Sequence, residues 1–130
     1  MMNFLWIGVG GFLGANSRYL VALWAARVWG ADFPYGTFLV NVVGSFILAL
    51  FLTLTTGKLT VSPEVRLLVA VGFLGSFTTF SSFSYEWYQL VAQGRWLAAG
   101  LDFFGNTVLG LIGVIAGIAL AGWLQGMGGE

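Results

Sequence analysis

The chain has 130 residues, of which 58% are apolar and only 8% charged; five basic and five acidic side chains cancel, and histidine and cysteine are absent. A soluble domain carries about a quarter charged residues, so this chain lacks the means to build a polar shell and must turn its surface to lipid. Disulfide frameworks, thiolate chemistry, Cys/His metal centres and the usual general base are excluded, and the balanced charge points to no nucleic-acid partner.

A bilayer core takes about 20 apolar residues per helix, and four segments qualify: 4–26, 36–56, 65–91 and 96–124. The first opens MMNFLWIGVGGFLGA, without the basic start of a cleaved leader, and is read as a span. Gly10 and Gly14 stand four apart, as do Gly113 and Gly117. That spacing lets helix backbones approach closely, either within one bundle or across a dimer seam. Arg18 lies about two-thirds along this span. A charge at mid-membrane costs about 2.5–3.5 kcal/mol, so Arg18 either faces protein or water with partners or snorkels to the interface.

The second span follows a short connection, Trp29–Tyr35, that contains Asp32 and Pro34. Within it Thr37 and Asn41 share a face at i, i+4. An amide offers two N–H donors and one acceptor, suited to gluing helices or to meeting a desolvated anion. The connection 57–63 carries Lys58, and both prolines fall outside the spans, where a missing N–H does no harm.

The third span is different. Its middle reads GFLGSFTTFSSFSYE, with hydroxyls at Ser76, Thr78, Thr79, Ser81, Ser82 and Ser84. Two half-helices are expected, 65–74 and 80–91, joined by an irregular stretch at 75–79. Such backbone survives at membrane depth only where protein or a watery cavity satisfies it, and broken helices often build ion sites from freed carbonyls. Phe80 and Phe83, three apart, share a face. Their positive ring edges can meet a small anion without binding it too tightly to release. Glu86 continues that face as a vestibule group, a coupling carboxylate or a solvated interfacial acid. Asp102, near the start of the fourth span, is read in the same way.

Among the flanking basic residues, Lys58 and Arg66 fall on the side of the termini, Arg27 and Arg95 on the other. The positive-inside rule therefore gives no orientation. A chain without bias can insert both ways and pair antiparallel with a second copy; a single fixed orientation decided by weak signals is the alternative.

GFLGSFTTFSSF (Gly72–Phe83), PYGTFLVNVVGS (Pro34–Ser45) and GGFLGANSRY (Gly10–Tyr19), in that motif order along the whole chain, resemble the Fluc/CrcB family of fluoride channels. The resemblance implies an all-α integral membrane fold, one domain over 1–130 with four transmembrane helices per subunit and a broken third helix. It also implies a dual-topology antiparallel homodimer in the cell inner membrane, with two fluoride pathways and a structural sodium ion at the dimer centre. By match of motif, the sodium ligands are the backbone carbonyls of Gly75 and Thr78. The pathway residues are Asn41, Phe80, Phe83, Ser81 and Ser82, with Thr37 beside them, Arg18 as a supporting buried charge and Glu86 at the vestibule. Ser76 stands where the family often has glycine, and Ser82 where it has threonine. A fourth-span tyrosine found in some members has only Phe103 near its position, with Thr107 as a substitute hydroxyl.

The implied function is passive fluoride export. A proton-coupled four-span drug exporter would need a membrane-embedded carboxylate in its first span, and there is none. A scaffolding subunit would have no use for a broken, hydroxyl-rich helix. An enzyme would need a nucleophile–base pair that this composition cannot readily assemble.

Overall fold

The glycines at helical spacing decide how the chain packs. The computed structural model describes residues 1–57 and 59–127; Lys58, one of the basic residues weighed for orientation, lies outside them. Five helical elements follow one another: α1 (Met2–Trp29), α2 (Tyr35–Thr56), α3 (63–77), α4 (Phe80–Ala92) and α5 (Trp96–Met127). Two stretches are π-helical, Leu67–Leu74 in α3 and Gly105–Leu109 in α5.

α1 lies against α3. A methyl group on Gly10 would run into the Leu68 carbonyl, and one on Gly14 into the Phe73 carbonyl. From the other side, a methyl on Gly72 would come within 2.7 Å of the Ile7 carbonyl. α5 lies against α2 in the same manner, Gly113 over Val42 and Gly117 over Phe46. Both small-residue pairs are thus spent inside one subunit, which answers the choice between bundle and dimer seam.

The core is narrow and rich in small residues: Gly10, Gly14, Ala25, Gly44, Ala49, Gly110, Gly113, Gly117 and Ala121 are buried, with Val40, Leu74, Phe77 and Leu90 as its larger apolar members. The large apolar side chains, such as Phe4, Phe12, Leu20, Ile112 and Ile115, point outward. That inversion of the soluble pattern is what a lipid solvent asks for, since lipid gives no drive to bury leucine.

Among the described residues, three segments are long and apolar enough to cross a membrane: Tyr35–Thr56, Pro63–Ala92 and Trp96–Met127. α1 has the length, 28 residues, but Asn16, Ser17 and Arg18 dilute its hydropathy. The helices overrun the expected span limits because they stop where the backbone is turned, not where the lipid ends. α1 runs to Gly30, whose φ of 86° breaks the helix. α3 starts at Ser62, whose side chain accepts from the Val65 N–H, with Pro63 in the first turn, where its missing N–H is harmless. α4 closes with a paired cap, Gly94 N–H to Val91 and Arg95 N–H to Leu90, both 2.9 Å. Gly94 at φ 70° supplies the left-handed residue that this cap needs.

The ends of the bundle are pinned by polar contacts. Arg95 donates to the Asp32 carbonyl at one end. Arg66 donates to Thr55 Oγ1 (2.9 Å) at the other, where Gln125 also donates to the Thr53 carbonyl.

Candidate functional site: the break between α3 and α4

Helix α3 persists through Phe77, and only Thr78 and Thr79 are extended, with φ, ψ of −81°, 156° and −153°, 116°. The break is therefore shorter than the expected 75–79. Gly75 is not its cause, having ordinary helical angles; two consecutive β-branched threonines, which lose side-chain freedom in a helix, occupy the extended positions instead.

Asn41 of α2 holds this point open. Its Oδ1 accepts the Thr79 N–H (2.8 Å) and its Nδ2 donates to the Thr79 carbonyl (3.1 Å). The amide side chain thus takes the place of a neighbouring peptide group, satisfying both backbone groups of a residue that has left its helix. The second Nδ2 hydrogen goes to Asn106 Oδ1 on α5 (2.9 Å). Asn106 in turn donates to the Asp102 carbonyl and to Asp102 Oδ1, both at 2.9 Å. One polar network therefore runs from the break through α2 to α5.

The restart of the helix is built by Thr79. Its Oγ1 accepts from the Ser82 N–H (3.2 Å), an N-cap. It also donates to Ser82 Oγ (3.1 Å) and lies 3.4 Å from Ser81 Oγ. Ser81 and Ser82 are gathered at the cap, while Ser84 bonds back to the Phe80 carbonyl. These redirected donors have a consequence for two carbonyls. The Thr79 N–H serves Asn41 and not the Gly75 carbonyl four residues back, and the Ser82 N–H serves Thr79 Oγ1 and not the Thr78 carbonyl. Both carbonyls lose their helical donors.

Beside the break lies a concave cavity of about 400 Å³, lined by Asn41, Thr78, Thr79, Phe80, Phe83, Asn106 and Thr107 among others. The Phe80 and Phe83 rings meet edge to face, centroids 5.9 Å apart, and Phe83 continues to Phe103 at 6.3 Å. Phe80 is 79% exposed in the single chain. Gly44 of α2 leaves the room that the Thr78 methyl and Phe77 ring occupy. Thr107 donates to the Phe103 carbonyl in its own helix and is exposed at the cavity rim.

The remaining predicted residues stand apart from this cavity. Thr37 donates to Glu86 Oε1 (2.9 Å), and the pair lines a smaller space of about 180 Å³ under the 30–36 connection. Glu86 is half-buried, and its Oε2 has no partner among the described residues. Asp102, read from sequence in the same three ways as Glu86, is fully buried, and its Oδ2 has no partner among the described residues. Helix α5 carries it inward beside Asn106, one turn on. Arg18 is half-buried, and no hydrogen bond or ion pair joins it to the described residues. Asp102 and Asn106 are the members of the site that sequence reasoning missed; two polar residues at i, i+4 inside an apolar span were the signal.

A family model described as "CrcB-like protein, Camphor Resistance (CrcB)" matches residues 5–118. The chain belongs to the CrcB family. Among CrcB relatives, a protein of Roseiflexus sp. (strain RS-1) is 51% identical over 92% of this chain and 97% of its own length. Another, from Chloroflexus aurantiacus, is 47% identical over 97% of this chain and all of its own length. One from Anaeromyxobacter sp. (strain K) is 47% identical with the same coverage. All three are named "Fluoride-specific ion channel FluC".

Proposed function

We propose that this chain is the subunit of a fluoride-selective channel that lets fluoride leave the cell down its gradient, and not an enzyme. The observation that carries the reading is the break at Thr78–Thr79, held open by Asn41 beside a cavity walled by Phe80 and Phe83. The names of relatives that share nearly the full length support fluoride as the ion.

Stripping water from a small anion is costly; the idealised cost for a carboxylate-sized ion is of order 20 kcal/mol, and fluoride is hydrated more strongly. The route must return donors. Both N–H groups of Asn41 and the one hydroxyl proton of Thr107 are engaged within the protein, so these two shape the route, and the ion meets the ring edges of Phe80 and Phe83 and the hydroxyls of Ser81 and Ser82. Ring edges hold an anion weakly enough for release. Thr37 and Glu86 form the approach at one mouth, and Arg18 adds positive potential.

The functional unit is an antiparallel homodimer in the inner membrane, each copy with four spans including α1, and with two routes at the interface. The exposure of Phe80 supports a second copy as its cover. The Gly75 and Thr78 carbonyls, freed of their helical donors, fit a sodium ion at the two-fold axis, two carbonyls from each copy. Bound there, sodium would tie the two breaks together and give the centre a positive potential.

The test is fluoride efflux from liposomes with Phe80→Ile and Phe83→Ile combined. Flux is expected to vanish while the dimer stays intact on a sizing column. Full flux in that variant would remove the ring-edge route.

A further inference from the structure

A carboxylate at the far end of a hydrogen-bonded chain dictates how each amide in that chain must point. Asp102 is completely buried in α5, and the Asn106 Nδ2 sits 2.9 Å from both its carbonyl and its Oδ1. Both of those atoms can only accept when the carboxylate is ionised. The nitrogen of Asn106 must therefore face Asp102, and its oxygen must face Asn41, whose Nδ2 donates to it at 2.9 Å. What remains on Asn41 is one N–H and one oxygen, and these are the two groups that Thr79 takes up. The order of donors from Asp102 to Thr79 is consistent at every link.

Asn106 lines the cavity, yet both of its N–H bonds point away to Asp102, so it presents no donor to an anion there. We infer that Asp102 and Asn106 are positioning residues: without touching the ion, they brace Asn41 and through it the extended Thr79 and the placement of Phe80. The inference rests on the reading of the Phe80–Phe83 cavity as a fluoride route. A partly satisfied polar network is costlier than none, so the far end of this chain matters to the near end. The π-helical stretch Gly105–Leu109 places Asn106 at the start of a widened turn, within reach of α2.

The test uses the full chain in liposomes and in detergent. Asn106→Asp keeps the shape but sets oxygen against the oxygens of Asp102, and fluoride efflux is expected to fall about tenfold or more. Asp102→Asn keeps an acceptor and is expected to stay within about twofold of the parent. Combining Asp102→Asn with Asn106→Asp restores the side-chain bond in the reverse sense, the 102 amide donating to the 106 carboxylate, which still accepts from Asn41, while the 102 backbone carbonyl stays opposed to a 106 oxygen. Efflux should recover in part, to about threefold or more above Asn106→Asp alone, the coupling expected of direct neighbours. A combined variant no faster than Asn106→Asp alone would overturn the inference.

A second readout does not depend on flux. In Asn106→Leu, hydrogen exchange at one Asn41 side-chain N–H should speed up about tenfold, while the N–H bound to Thr79 stays protected. Unchanged exchange at both would overturn the relay. A parent protein silent to fluoride would count against the channel reading, and the exchange result would still decide whether the relay exists.

Discussion

Asn41 carries more of the site than any other side chain. Four hydrogen bonds could be asked of an amide, and here three are directed at named partners, two of them the backbone groups of Thr79. Asn41→Ala strips both partners from a part-buried peptide, at about 1–3 kcal/mol for each unsatisfied group. Fluoride efflux is expected to fall at least about tenfold, and thermal unfolding in detergent to shift downward; an unchanged rate would show that the break holds itself open. The choice between glue and anion donor could not be made from sequence, because the partners lie 38 and 65 positions away on other helices. Thr37 and Asn41 did read correctly as one face, since i, i+4 is a local rule. The place of Asp102 stayed open in the sequence for a related reason: hydropathy shows that a polar residue is present, not which way its helix is rotated.

The elements are set by where small residues fall. Gly10 and Gly14 face backbone carbonyls of α3, whereas nothing lies within 4 Å of a methyl added to Gly8. Gly10→Ala should therefore destabilise the fold by about 1–3 kcal/mol, the usual penalty of overpacking, while Gly8→Ala should be neutral or slightly stabilising. Thermal unfolding of the two variants side by side checks this, and equal midpoints would remove the close α1–α3 approach. The spacing of these glycines was legible from sequence, but their use was not, because a seam within a subunit and a seam between subunits share one pattern. The broken third span was legible too, from its run of hydroxyls. Its limits were not: an irregular stretch over 75–79 was expected, and only Thr78 and Thr79, with an amide partner, are extended.

For the whole molecule, the decisive features are groups that a single copy leaves incomplete. Phe80 is exposed, and the Gly75 and Thr78 carbonyls have lost their helical donors. Antiparallel pairing would cover both. Purification with potassium in place of sodium is expected to weaken the dimer and lower efflux about tenfold; full stability and flux without sodium would remove its structural role. The absence of an orientation bias in Arg27, Lys58, Arg66 and Arg95 suits a chain that inserts both ways. Adding two lysines at the C-terminus should bias insertion to one orientation and reduce the yield of functional dimers, read by protease accessibility of a terminal tag in membrane vesicles.

The most direct measurement is ion release from liposomes that hold the purified protein, followed with a fluoride electrode and with a chloride electrode as control. Rapid fluoride release that needs only a charge shunt, with chloride retained and no proton gradient required, is the predicted result. A folded dimer that releases no fluoride, or that releases chloride equally well, would contradict the account.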